Sequence, residues 1–189
     1  LYGENNSKRK ISETSTISLK KIQYFQNYKK KWFKQKLKME KLFFELSQKN
    51  FKILILRMFS FIGPSILDQK YVPSELIKKF SNNQKIILNG PLNTYRSYLY
   101  ESDFVEWIIK IFYKLEKQYD IYNFGSDKAI TIYELANKIG KYYNFKNVFL
   151  LNKSNKLDYY VPSINKLKKN FKVKINVPLN ISIMKSIKK

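Results

Sequence analysis

Residues 53–64 read ILILRMFSFIGP, and this stretch decides the fold. The apolar run at 53–59 has the length of a β-strand and is typical of a parallel strand that is buried on both faces. The Gly63-Pro64 pair predicts a turn that ends the run. We therefore expect a buried strand with a loop at its carboxyl end, which is the edge where open α/β sheets place ligands.

Helices and short strands are predicted to alternate on both sides of this run. Apolar residues recur at helical spacing from Trp32 to Lys49, with lysines between them, which predicts a long amphipathic helix. Further helices are predicted at 73–82, from an Asp103/Glu106 capping box, from a Thr131/Glu134 capping box to about Tyr143, and after a Ser163 cap. Strands or extended segments are predicted at 85–88, 95–100, 121–124 and 148–151. The alternation places the chain in the α/β class.

The composition excludes several kinds of chemistry. The 189 residues are 44% hydrophobic and 16% aromatic, with five Gly and five Pro, as in a folded globular protein. No apolar stretch approaches the roughly 18 residues of a membrane span, so we expect a soluble, cytoplasmic protein without a membrane partner. Because Cys and His are absent, disulfides, thiolate or imidazole catalysis and most metal sites are excluded. Catalysis would need Tyr, Lys, Asp, Glu, Ser or a cofactor.

The formal net charge of +23 raises the question of a nucleic-acid partner. Three of the 37 cationic residues are arginines, namely Arg9, Arg57 and Arg96, whereas phosphate and base recognition favours the guanidinium group. Lys, Ile, Asn, Phe and Tyr are abundant together, as an A+T-rich coding sequence produces. We therefore do not expect a nucleic-acid partner, although a basic protein that binds RNA or single-stranded DNA stays open as an alternative.

Several segments, in order along almost the whole chain, resemble one family. ILRMFSFIGP at 55–64 and RSYLYESD at 96–103 resemble consecutive motifs of the NAD-dependent epimerase/dehydratase family, the extended short-chain dehydrogenases that modify nucleotide sugars. YNFGSD at 122–127, ITIYELA at 130–136 and YVPS at 160–163 resemble later segments of that family. YG at 2–3, with ISE at 11–13, is similar to the stretch that follows the family's catalytic Ser or Thr.

This resemblance implies the C-terminal part of a Rossmann-like doubly wound sheet plus a small α/β substrate-binding domain. Residues 1–62 would end the dinucleotide-binding domain, and residues 63–189 would form the substrate-binding part, with a strand and helix near 121–143 interleaved with it. The family's Gly-x-x-Gly-x-x-Gly loop, which holds the dinucleotide pyrophosphate, would precede Leu1. The intact protein would bind NAD and a nucleotide sugar and would form a homodimer, whereas the chain alone would bind NAD poorly.

The family's catalytic helix carries Tyr-x-x-x-Lys, in which the tyrosine moves a proton while hydride moves to or from the nicotinamide. The register implied by the resemblance puts Lys36 at the Lys position, in catalysis and on the cofactor ribose, and puts Trp32 at the Tyr position. Indole has no titratable acceptor, so Trp32 cannot relay the proton. Tyr24 and Tyr28 have no Lys four residues later. Composition alone describes Lys36 as a solvated helix lysine that pairs with Glu40.

The resemblance assigns four more residues. Phe59 would contact the cofactor, and Ser60, Arg96 and Tyr160 would contact the substrate. A guanidinium at position 96 suits bidentate pairing with a diphosphate. Packing at a strand end is the ordinary alternative for Phe59 and Ser60, and a core or surface position is the alternative for Tyr160. For Asp103 we expect a helix cap rather than a ligand contact.

The sequence thus predicts a fragment of an NAD-dependent nucleotide-sugar epimerase or dehydratase that acts by transient hydride transfer and is inactive in isolation. Besides nucleic-acid binding, a second alternative stays open. The chain is then a degenerate remnant without function, which Trp32 at the catalytic position favours.

Overall fold

Helices and short strands alternate along the protein, as the sequence predicts. The computed structural model describes residues 2, 5–15, 27–67, 71–145, 148–150, 154 and 156–188, without the side chains of 27–29, 149 and 150. The helices are α1 (Asn27–Ser47), α2 (Val72–Ser81), α3 (Glu101–Tyr113), α4 (Ile132–Tyr142), α5 (Asn165–Phe171) and α6 (Leu179–Ile187), with a 3-10 turn at Pro64–Ile66. The strands are β1 (Ile53–Met58), β2 (Ser60–Ile62), β3 (Ile86–Leu88), β4 (Thr94–Arg96), β5 (Tyr98–Tyr100), β6 (Tyr119–Phe124), β7 (Ile130–Thr131), β8 (Val148–Leu150) and β9 (Asp158–Tyr159).

Strands β1 and β6 pair in parallel and are covered by helices on both faces. On one face α1 packs against the pair, and the ring of Phe44 meets the ring of Tyr119 edge to face at 5.2 Å. On the other face α3 and α5 bring Trp107 and Phe171 against the aromatic residues of β6. Because the two strands run in the same direction, their carboxyl ends lie side by side.

The parallel strand predicted from the apolar run is confirmed at 53–58, but the strand is one residue shorter than the run and is half-buried instead of fully buried. β1 ends at Met58, whose side chain is 53% exposed, and the other residues of the strand are half-buried. Phe59 turns inward and is 6% exposed, and its amide donates to the Phe124 carbonyl. The chain then leaves this pair and forms β2, which pairs in parallel with β5. The Gly63-Pro64 turn therefore follows a second strand.

A second group of buried side chains lies where α2, α4 and α6 meet β2, β3 and β5. Around it β3 pairs in parallel with β8, and β4 lies between antiparallel β7 and parallel β9, so the predicted extended segment 95–100 is divided at Ser97. The sequence did not predict α6. Its β-branched residues, Ile181, Ile183 and Ile187, weaken a helical signal that tertiary packing restores.

One of the three predicted helix caps is confirmed. At α4 the Thr131 hydroxyl accepts from the Glu134 amide at 3.0 Å, and the Glu134 carboxylate accepts from the Thr131 amide at 2.9 Å. The Ser163 cap is wrong, because α5 follows Ile164 without a side-chain cap and Ser163 instead donates its amide to the Ile11 carbonyl. Ile11 and Pro162 form an isolated parallel bridge, which ties the described part of the N-terminal segment to the chain before α5.

The Asp103/Glu106 capping box is also wrong. Helix α3 begins two residues earlier, at Glu101, so Asp103 lies inside the first turn. Its buried carboxylate accepts the backbone amides of Asn176 and Val177 at 3.1 Å each. The loop at 176–177 therefore uses the Asp103 carboxylate, which the local sequence pattern assigned to the start of α3.

Among the described residues, every helix falls short of the length and apolarity that crossing a bilayer demands. Those residues also contain no group of three or more Asp or Glu that is arranged to hold a metal ion. Tyr24 lies outside the described residues. For Tyr28, which is in the first turn of α1, the structure describes the backbone alone.

Candidate functional site

Two cavities meet at the carboxyl end of β1, on either side of Phe59 and Tyr160. The helix-side cavity has a volume of about 290 Å³ and lies against α1, where Trp32 and Lys36 line it. The loop-side cavity has a volume of about 620 Å³, and its lining includes Ser60. Both cavities use Met58, Phe59 and Tyr160 as walls. The structure therefore brings together four of the five site residues that the sequence predicts.

The wall between the cavities is aromatic. The rings of Phe59 and Tyr160 lie 4.8 Å apart, and Tyr2 stacks on the other side of Phe59 at 6.0 Å. Gly125, at the end of β6, makes room for this wall, because a Cβ atom there would lie 2.9 Å from the Cβ of Phe59. Burial raises the pKa of Tyr160 to about 12, so its phenol is neutral and acts as a hydrogen-bond donor near neutral pH.

Beside the helix-side cavity, Arg57 holds the end of β1 against α1. Its Nε and Nη2 atoms donate to the two carboxylate oxygens of Glu40 at 2.9 and 2.7 Å. Its Nη1 atom donates to the hydroxyl of Tyr2 at 2.6 Å, and that hydroxyl donates to Asn123 at 2.7 Å. The Arg57 and Glu40 side chains are 11% and 14% exposed. This bidentate pair is thus largely removed from water and orients α1 relative to the sheet.

The pKa values in this network keep the Tyr2 phenol protonated and the Arg57 guanidinium charged. Burial raises the pKa of the Tyr2 phenol, and this outweighs the hydrogen bond from Arg57 that lowers it. Burial lowers the pKa of Arg57, but its hydrogen bonds to Glu40 and Tyr2 outweigh that effect and raise it, so the guanidinium stays charged. Tyr2 is therefore a neutral phenol that already has two hydrogen-bond partners.

Trp32 and Lys36 lie one turn apart on α1. The Lys36 ammonium is 5.6 Å from the centroid of the Trp32 ring, and the Trp32 side chain is 53% exposed. The pairing of Lys36 with Glu40, which composition suggested, is not formed between these two described residues, because Glu40 binds Arg57. The position that would need a phenol thus carries an indole in contact with the lysine ammonium.

Arg96 lies behind Tyr160 and already has a carboxylate partner. Its Nη2 atom donates to Asp158 at 2.6 Å, and its Nη1 atom donates to the Tyr95 carbonyl at 2.7 Å. The guanidinium carbon is 5.7 Å from the centroid of the Tyr160 ring. The side chains of Arg96 and Asp158 are about one quarter exposed, at 26% and 24%, so the pair can be reached from solvent.

Sequence reasoning assigned no role to four residues of this region: Tyr2, Arg57, Glu101 and Asp158. Arg57 carried a usable signal, because a guanidinium inside an apolar strand needs a buried acid and Glu40 is an acid on the preceding helix. Asp158 is the one acid among residues 151–189, so it was the available partner for a cation there. Glu101 gave no signal, because its place depends on a fold in which α3 begins beside the Gly63 turn.

The residues present fit one end of a dinucleotide. Lys36 and Phe59 would hold a nicotinamide riboside in the helix-side cavity, where bound NAD would supply the hydride acceptor. That cavity is smaller than the roughly 300–1,000 Å³ typical of ligand pockets. The five glycines of the sequence, at 3, 63, 90, 125 and 140, are too widely spaced to form the loop that cradles a pyrophosphate. The rest of a dinucleotide therefore has no binding loop in these residues.

Solved structures that share this Rossmann-like α/β fold include proteins solved with UDP-glucose, with NADPH, or with NAD and UDP. The UDP-glucose 4-epimerase of Thermotoga maritima, solved with UDP-glucose, matches with a TM-score of 0.62 and 15% identity over 71% of this chain and 44% of its own. RMD from Pseudomonas aeruginosa, solved with NADPH, matches with a TM-score of 0.62 and 16% identity over 74% of this chain and 48% of its own. WbmG from Bordetella bronchiseptica, solved with NAD and UDP, has a TM-score of 0.57 and 18% identity over 72% of this chain and 42% of its own.

The likeness to these structures confirms the predicted fold class. The model of the NAD dependent epimerase/dehydratase family matches residues 1–125 of this chain. The chain therefore belongs to this family, as its motifs indicated. It spans less than half the length of the solved structures it matches. Comparison with curated proteins gave no match.

Proposed function

We propose that this chain forms the substrate-binding side of a nucleotide-sugar epimerase or dehydratase whose cofactor is NAD. The diphosphate of the substrate would bind at Arg96 and Tyr160, and the sugar would enter the loop-side cavity next to Ser60. One observation carries the proposal. Phe59, Ser60 and Tyr160 line a single cavity of about 620 Å³, and the guanidinium carbon of Arg96 lies 5.7 Å from the centroid of the Tyr160 ring.

Each side chain has a defined task in this proposal. Arg96 pairs with phosphate oxygens through the planar fork that now faces Asp158. The neutral phenol of Tyr160 donates a hydrogen bond, and the hydroxyl of Ser60 donates to or accepts from a sugar hydroxyl. Phe59 separates the sugar from the helix-side cavity and keeps water from the point where the two cavities meet.

We further propose that this chain does not transfer hydride by itself. A hydroxyl-bearing sugar carbon is oxidised when a base removes the hydroxyl proton as hydride leaves. Trp32 offers no such base, and the nearby phenols of Tyr2 and Tyr160 have raised pKa values. The sequence also lacks the glycine cluster that would hold the cofactor pyrophosphate. The chain would thus act as a part of a larger enzyme or as a binding protein for nucleotide sugars.

The remaining expectations stay as proposals. They are a division of the chain near Ile62, a homodimer of the intact protein and a cytoplasmic location.

The alternative of RNA binding predicts exposed aromatic side chains on strands. Among the described residues, the exposed aromatic side chains instead belong to helices or loops: Trp32, Phe43, Phe44, Phe51, Tyr71, Phe112, Tyr113 and Tyr142.

Titration of the chain with UDP by calorimetry tests the binding proposal. We expect saturable binding at one site, and we expect Arg96→Met to weaken it about tenfold or more, because a charge-assisted bidentate contact is lost. Arg96→Lys should recover part of the affinity, since it restores the charge without the fork. Lys49→Met removes an exposed cation beyond the far end of α1 and should leave the affinity unchanged.

Equal affinity of the wild-type chain and Arg96→Met for UDP would show that Arg96 does not bind the diphosphate. Equal weakening by Arg96→Met and Lys49→Met would show attraction to the net charge instead of a built site, and such attraction fades with added salt.

A further inference from the structure

Among the described residues that line the loop-side cavity, Glu101 is the one with a formally charged side chain. Aromatic and aliphatic side chains form most of its wall, and Ser60 and two tyrosines add hydroxyl groups. Among the described residues that line it, none is Lys or Arg. The described lining of this cavity therefore carries one negative charge, whereas the chain as a whole has a net charge of +23.

The fold fixes this carboxylate in place. Glu101 is the first residue of α3, and its Oε2 atom accepts the amide of Ser65 at 3.0 Å. Gly63 leaves the space that the carboxylate occupies, because a Cβ atom at that position would overlap it. Within the described part of the chain, the other oxygen, Oε1, makes no hydrogen bond. One oxygen is thus used to hold the Gly63 turn, and the other keeps its capacity to accept.

The charges divide the site into two ends. A diphosphate carries negative charge, and a carboxylate in a cavity of low polarity repels it strongly. The diphosphate therefore belongs with Arg96, behind Tyr160, and the sugar belongs in the loop-side cavity with Glu101. A carboxylate with aromatic side chains around it is the arrangement that proteins use to bind an ammonium group, through a charge-assisted hydrogen bond and contact with the rings.

We infer that the loop-side cavity selects the sugar by charge, so that a sugar with a free amino group is preferred, a neutral sugar is accepted and a uronic acid is rejected. This inference rests on the proposed function, since it concerns the sugar end of the same nucleotide-sugar site. It names Glu101 as the residue that determines specificity and Gly63 as the residue that positions its carboxylate.

The experiment compares four ligands on three proteins by calorimetry at pH 7. The ligands are UDP, UDP-glucose, UDP-glucosamine and UDP-glucuronic acid. The proteins are the wild-type chain, Glu101→Gln and a control, Glu116→Gln, which removes an exposed carboxylate that does not line the cavity. In Glu101→Gln the amide oxygen still accepts from Ser65, so the turn is retained while the charge is lost.

We expect all three proteins to bind UDP equally. The wild-type chain and Glu116→Gln should bind UDP-glucosamine about tenfold more tightly than UDP-glucose and should bind UDP-glucuronic acid about tenfold more weakly, as hydrogen bonds to charged groups imply. In Glu101→Gln the affinities for UDP-glucose, UDP-glucosamine and UDP-glucuronic acid should agree within about threefold. A second variant, Gly63→Ala, displaces the Glu101 carboxylate without removing it. It should reduce the differences in affinity among the three UDP-sugars.

The outcomes separate the two proposals. If UDP binds and the preference among the three sugars is absent, or is the same in Glu101→Gln as in the wild-type chain, then the inference about charge selection is overturned and the proposed function stands. If the wild-type chain does not bind UDP at all, the proposed function is overturned, and the inference that rests on it is overturned as well.

Discussion

The helix-side and loop-side cavities share the wall of Phe59 and Tyr160, but their charged groups are used differently. Beside α1, Arg57 and Glu40 satisfy each other, and Lys36 lies against the Trp32 ring. In the loop-side cavity, Glu101 gives one oxygen to a backbone amide and keeps the other. The helix-side groups hold the structure together, while the loop-side groups keep hydrogen-bonding capacity for a ligand.

This difference bears on which changes would affect the two cavities. The Arg57–Glu40 pair stabilises the position of α1 independently of the side chain at position 32, so an indole or a phenol there leaves the sheet and its edge intact. The loop-side cavity depends on β1, β2 and α3, none of which contains Trp32. The loop-side cavity can therefore keep its shape whichever residue stands at position 32.

The largest effect is expected from Arg57→Met, which removes the Arg57–Glu40 pair beside the helix-side cavity. This change leaves the Glu40 carboxylate buried without its partner and leaves the Tyr2 hydroxyl without a donor. The free energy of unfolding should fall by about 4 kcal/mol, measured by urea denaturation. The double variant Glu40→Gln/Arg57→Met should recover part of the loss, because no unpaired charge remains. A loss below about 1 kcal/mol in the single variant would show that the pair does not hold α1.

An intermediate effect is expected at the shared wall when the pH is raised. Burial raises the pKa of Tyr160 from 10.0 to about 12, so the folded state favours the protonated phenol. Its contribution to stability is fully present below pH 10 and is lost as the pH rises through about 12. Tyr160 should therefore contribute roughly 2 kcal/mol to the decrease in the free energy of unfolding over this range, measured by urea denaturation at successive pH values.

Tyr160→Phe should remove this contribution and make the decrease smaller than in the wild-type chain. The control Tyr113→Phe, which removes a phenol from a side chain that is 81% exposed, should leave it unchanged. An unaltered profile in Tyr160→Phe would mean that the Tyr160 ring is not held in the wall.

The smallest effect is expected from Trp32→Tyr, which puts a phenol at the position that the resemblance to the family assigns to the catalytic tyrosine. Because the Trp32 side chain is 53% exposed, the free energy of unfolding should change by less than about 0.5 kcal/mol. Absorbance at 340 nm should show no reduction of NAD with UDP-glucose present, since this sequence has no loop to hold the cofactor. Appearance of NADH in the variant and not in the wild-type chain would show that Trp32 alone prevents catalysis.

Local patterns predicted the elements better than the contacts between them. Helical periodicity identified α1, and the Thr131/Glu134 pattern identified the start of α4, because both signals lie within one or two turns of chain. The same reasoning misassigned Asp103, whose partners lie more than 70 residues away. The resemblance to a family located Phe59, Ser60 and Tyr160 at one place. Glu101 required the fold, because its contact with the Gly63 turn is not local in sequence, whereas Arg57 inside an apolar strand already indicated a buried acidic partner.

The most direct test of the account is a comparison of backbone amide NMR spectra of the chain with and without UDP. The account predicts shifts concentrated at residues 59–61, 95–101 and 158–161, around the loop-side cavity and Arg96, with little change along residues 30–40 of α1. It also predicts that NAD, added at the same concentration, produces no such shifts. Shifts centred on α1, or equal responses to UDP and NAD, would contradict the division of the site into a retained substrate end and a cofactor end that no longer functions.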